Sequence, residues 1–196
     1  MKYIKSFKLY ENQGSEVLIE IFLKEIGIPN DKHPIVIDWW YKNMSHIKIY
    51  HFEFSSPEPI LGVILSENEI AINKTSNNPR LPLHKMPIFI KLFTALHESK
   101  HCDQHIENRF SNLYFDPVKE GDKDRFLKNY LELEKEANNF AINSLREIGF
   151  DLEMNREERN LRRNEGAGRM VYDMMTQDIR RFHPIDMIDL YRKQVL

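Results

Sequence analysis

The sequence predicts an α+β fold in which a small antiparallel sheet precedes a set of helices. Three patterns predict it. Apolar residues alternate over 45–54, and apolar runs at 60–65 and 70–73 flank a polar turn, as in a hairpin. The stretch from Ile88 to Leu96 is apolar nearly all round, and helical spacing continues to about Asn108, as in a buried helix. A second amphipathic stretch runs over 123–148 and stops at Gly149.

The elements run in order from the N-terminus. The first dozen residues suit a short strand or a tethered tail. Residues 15–27 suit a short helix, with Val17, Ile21, Phe22 and Ile26 on one side and Gly27 as its stop. Pro29 and Pro34 punctuate the stretch after it. From Ser45 onward, Tyr50, Phe52 and Phe54 share one strand face, and Ile47, Ile49, His51 and Glu53 share the other. Residues 60–65 and 70–73, joined by the polar Ser66 to Glu69, suit a hairpin, and 74–82 a loop. Pro87 suits the first turn of the helix that ends near Asn108. The last 45 or so residues suit further helices, interrupted around 164–168 and at His183-Pro184. The chain therefore divides into an N-terminal helix and linker (1–44), a core (45–149) and a C-terminal helical extension (150–196), packed as one unit.

Composition narrows the function. Among 196 residues, 28 Lys+Arg against 30 Asp+Glu leave a net charge of −2, which argues against binding driven by nucleic-acid phosphates. The 41% hydrophobic and 11% aromatic content supplies a core. A single cysteine, Cys102, excludes an internal disulfide framework and a Cys-rich zinc module, and its position suits simple packing. No apolar run approaches the roughly 20 residues of a membrane span, and the basic start lacks the apolar middle of a signal peptide. The expected compartment is the cytoplasm.

The chemistry concentrates in His97-Glu98-Ser99-Lys100-His101, an H-E-x-x-H match. Histidines four apart lie on one helical face about 6 Å apart along the axis, so both can reach one zinc ion. Glu98 then stands beside the ion, placed to take a proton from zinc-bound water. His105 continues the spacing, but on a straight helix it lies about 12 Å from His97, too far to share the ion.

A third ligand is expected from the 123–148 helix. Its apolar face is set by Phe126, Tyr130, Leu133, Ala137, Phe140, Ala141, Leu145 and Ile148, and Glu134 falls within it. A glutamate turned into a core calls for a cation or another partner. Glu136 lies outside that face and is the alternative ligand. Asn138, one turn after Glu134, suits a hydrogen bond to a ligand imidazole. His97, His101 and Glu134 with an open fourth position form a catalytic rather than a structural zinc pattern.

His97-Glu98-x-x-His101 followed by Glu134-Lys-Glu136-Ala137-Asn138-x-Phe140-Ala141, with Ile70 to Asn73 ahead of both, resembles the ImmA/IrrE family of gluzincin metallopeptidases. The resemblance spans about residues 45–146. It implies a zincin-like domain and a zinc endopeptidase acting on a protein or peptide, such as a transcriptional regulator. It also implies His97, His101 and Glu134 as ligands and Glu98 as the base. The family usually has Gly where Lys100 stands and often an acidic residue where Asn138 stands.

Other features have plainer readings. Tyr114, Tyr130, His105 and Tyr172 are candidates for steadying an oxyanion, with nothing in the sequence to choose among them. Arg156, Arg159, Arg162 and Arg163 interleave with Glu153, Glu157, Glu158 and Glu165, as on a solvated ion-paired face. The competing reading of the whole chain is a non-catalytic structural or interaction protein, phage-borne or regulatory, whose metal site is degenerate or purely structural.

Overall fold

Eight elements are built by the residues that the computed structural model describes, 16–53, 61–74, 89–109 and 122–151. They are β1 (Glu16–Val17), α1 (Ile19–Glu25), α2 (His33–Asn43), β2 (Lys48–Phe52), β3 (Gly62–Ser66), β4 (Glu69–Asn73), α3 (Ile90–Ile106) and α4 (Asp122–Glu147). The chain is α+β, with four helices and one four-stranded sheet among the described residues. The expected C-terminal extension beyond residue 151, the residues before 16 and the loop beyond 74 lie outside them, as do Tyr114, Tyr172 and the arginines between 156 and 163.

The sheet has the order β1-β2-β4-β3 and is mixed, which corrects the expectation of an antiparallel sheet. β3 and β4 form the expected antiparallel hairpin, with Val63 opposite Ala71 and an irregularity between Ile64 and Ser66. β4, however, lies parallel to β2, pairing Ile49 with Ile70 and His51 with Ile72. The reason is topological. β3 runs back against the direction of β2 but one strand away, and β4 fills the gap between them. A reading of local pattern sees only the hairpin.

Alternation along the strands sets their two faces. Ile49, Ile70 and Ile72 enter the main core, where they meet Phe22, Leu23, Leu92, Leu96 and Leu145. Phe52 and Ala71 form a second, smaller cluster with Tyr50, Val63 and Leu65 on the opposite face. His51 faces the main core, is buried and has its Nδ1 against the Glu25 carboxylate, which ties α1 to the sheet.

The helices differ from expectation in two places. Glu16 and Val17 pair antiparallel with Tyr50 and Ile49 instead of opening the first helix. Residues 33–43, read as punctuated by proline, form α2. Pro34 sits in its first turn, where a missing N–H costs no hydrogen bond. Val36 and Trp40, four apart, are its buried stripe. Both predicted glycine stops are present: Gly27 (φ 80°) and Gly149 (φ 84°) adopt the left-handed conformation just past α1 and α4. At each, the next residue's N–H reaches back five residues, Ile28 to Leu23 and Phe150 to Leu145, satisfying the last carbonyls. No described helix is long and apolar enough to cross a membrane.

Candidate metal centre

α3 carries the histidine pair. Its first turns are anchored by Ile90, Leu92, Phe93, Ala95 and Leu96, all buried, so the next turn emerges at the rim of the core in a fixed orientation. α4 packs beside it, with Ala137 and Ala141 fully buried, and presents Glu134 to the same point. His97, His101 and Glu134 form the one group of three metal-binding side chains found among the described residues.

The three side chains make a small triangle, with both oxygens of Glu134 turned to it. The two Nε2 atoms are 3.0 Å apart. Glu134 Oε2 lies 3.3 Å from His97 Nε2, and Glu134 Oε1 lies 3.3 Å from His101 Nε2. Donors held tetrahedrally at zinc bond lengths of roughly 2.0–2.2 Å stand about 3.3 Å from one another. The triangle has the size and donor types of a three-ligand zinc site.

The hydrogen bonds behind the rings agree. His97 Nδ1–H donates to Asn138 Oδ1 at 2.9 Å, and His101 Nδ1–H donates to Gln104 Oε1 at 2.7 Å. With hydrogens on both Nδ1 atoms, each neutral ring turns an Nε2 lone pair toward the Glu134 carboxylate. Two ring nitrogens and a carboxylate facing one another in a buried site require a positive charge between them. Without a metal a proton takes that role. Burial disfavours a charged His101, but the adjacent Glu134 more than reverses this and lifts its pKa to about 9. Burial likewise pushes Glu134 up, yet the two imidazoles hold it well below the usual carboxylate range.

Glu98 is not one of the three. Burial raises its carboxyl above the usual range, with His97 and His101 pulling it partly back. Such a carboxylate is disposed to act as a base. It is held against the sheet through Gly62 of β3. A Cβ added at Gly62 would lie 2.5 Å from Thr94 Cγ2 and 3.0 Å from Glu98 Cγ. Thr94 is buried and its hydroxyl is bound to the Ile90 carbonyl, so it cannot yield easily. Gly62→Ala is therefore expected to cost about 1–3 kcal/mol of stability by overpacking, measured by denaturant unfolding, and to displace Glu98.

Glu136, the alternative ligand, is turned away. Its Oε1 is 3.3 Å from Lys100 Nζ and its Oε2 pairs with Arg109. Lys100 also lies 3.9 Å from Asp103. These ion pairs staple the flank of α3 to α4 and occupy Glu136 outside the triangle. His105 is likewise separate, facing Glu67 at 3.7 Å. The Tyr130 side chain lies outside the described residues.

Cys102 is fully buried, with Sγ near the Ser66 and Glu69 carbonyls, and burial pushes its thiol up to about 12. It packs rather than reacts. Relative to an ordinary thiol near 9, its thiolate fraction at neutral pH falls by about 1,000-fold. A thiol reagent should accordingly label Cys102 only after unfolding.

Two contributors escaped the sequence reading. Gln104 carries a usable signal, since it stands three residues after His101 on the same helix side. Gly62 carries none locally, because its value is the space it leaves for another element.

No family model matches the chain, nor does any curated protein or solved structure.

Proposed function

We propose that this protein is a zinc-dependent endopeptidase of zincin-like fold, akin to the ImmA/IrrE metallopeptidases, hydrolysing a peptide bond in a protein substrate. The observation that carries this reading is the convergence of His97, His101 and Glu134 on one point, with Glu98 beside them. Lys100, where that family usually has Gly, is absorbed by Glu136 and Asp103 and leaves the triangle untouched.

His97, His101 and Glu134 would hold the ion, and His/His/carboxylate donors favour zinc at cellular metal levels. When bound, zinc supplies Lewis-acid polarisation and lowers the pKa of water to about 7. Glu98 accepts the proton of the attacking water and delivers it to the departing amine nitrogen. Asn138 and Gln104 keep the imidazoles in place. β3, at the edge of the sheet among the described residues and against Glu98 through Gly62, offers main-chain groups with which an extended peptide can pair. A purely structural metal site would need a fourth protein ligand, and none joins the three among the described residues.

The test is cleavage of an unfolded protein substrate by the purified full chain. Hydrolysis that a chelator abolishes and added zinc restores supports the proposal. Absence of cleavage by fully zinc-loaded protein across a diverse peptide library contradicts it.

A further inference from the structure

We propose that Gln104 is a positioning residue that fixes the tautomer of His101 and so aims its Nε2 at the metal. The inference rests on the metal-centre reading above and adds to it the source of the histidine's orientation.

Gln104 is fully buried. Its amide nitrogen Nε2 donates to the main-chain carbonyl of Leu133 on α4 at 3.1 Å. A carbonyl only accepts, so the amide has one permitted orientation, with nitrogen toward Leu133 and oxygen toward His101. The oxygen Oε1 also only accepts, and it lies 2.7 Å from His101 Nδ1. With a metal ion on Nε2, the hydrogen of the ring therefore resides on Nδ1, where Gln104 Oε1 accepts it. A helix carbonyl thus dictates an amide orientation, the amide dictates a tautomer, and the tautomer presents the metal-facing nitrogen. Reversing the amide would set N–H against N–H at His101 and oxygen against oxygen at Leu133.

The relay does a second thing. Leu133 immediately precedes Glu134, so the side chain that orients His101 is bonded to the main chain that carries the third donor. Asn138 gives His97 an equivalent acceptor from the other direction, α4 to α3. Each imidazole is oriented by a neutral amide oxygen, and both amides bridge the two helices that carry the donors.

The experiment compares zinc affinity, by competition with a chromophoric chelator, in the full chain and in Gln104→Met and Gln104→Glu. Met fills similar volume without hydrogen bonds, and is expected to weaken zinc binding by roughly 10- to 100-fold. Glu keeps an acceptor for His101 and is expected to restore most of that loss. Equal losses in both variants would mean that Gln104 acts only as a brace to Leu133, since both lack the amide donor, and would overturn the proposal. So would wild-type affinity in Gln104→Met, while leaving the metal centre intact. A wild type that binds no zinc would sink the metal-centre reading instead.

Discussion

Glu98→Gln is expected to leave zinc binding at about one ion per chain and to lower hydrolysis by roughly 10²- to 10⁴-fold. The substitution keeps the shape and hydrogen-bonding reach of the side chain but removes its basicity. Glu98 is not among the three converging donors, so metal content should be indifferent to it. Its surroundings suit the proposed base: burial raises its carboxyl, and Gly62 lets β3 lie close against its stem. Elemental analysis and a cleavage assay on the same preparation separate the two roles. Loss of zinc in Glu98→Gln would make it a structural member of the site. Unchanged hydrolysis would remove it from the mechanism.

Glu134→Ala should do the opposite, taking zinc from about one per chain to less than about a tenth after dialysis, because two imidazoles alone do not make a zinc site. Glu136→Ala is the matched control two residues away. Its carboxylate pairs with Lys100 and Arg109 at the partly exposed flank, where such pairs contribute up to about 1 kcal/mol. It should retain zinc and lose only slight stability. The reverse pattern would mean that α4 presents the other glutamate in solution.

Which of these two glutamates faces the histidines was legible in the sequence. Helical phase alone places Glu134 on the stripe of Leu133, Ala137, Ala141 and Leu145, because 100° per residue leaves little freedom once the apolar face is fixed. The histidine spacing, the hairpin and the stops at Gly27 and Gly149 were legible for the same reason, being local rules of repeat and backbone conformation. The parallel pairing of β2 with β4 was not, since it depends on which strand fills a gap left by two others. α2 escaped because Pro34 reads as a break when it is in fact a start, and because Ile35, Trp39 and Tyr41 blur its apolar stripe. Gln104 and Gly62 escaped because their roles are defined by Leu133, Thr94 and Glu98, residues tens of positions away. Asn138 was legible in part: its position one turn from Glu134 suggested contact with a ligand histidine, and it lies 2.9 Å from His97 Nδ1.

The central claim is that three side chains from two helices hold one metal ion and leave a position free for chemistry. X-ray absorption at the zinc edge, on the zinc-loaded full chain, tests it most directly. The expected result is two imidazoles and one carboxylate from the protein, with the fourth position left to solvent. A fourth protein ligand, a sulfur donor or a third imidazole would contradict it and make the centre a structural one.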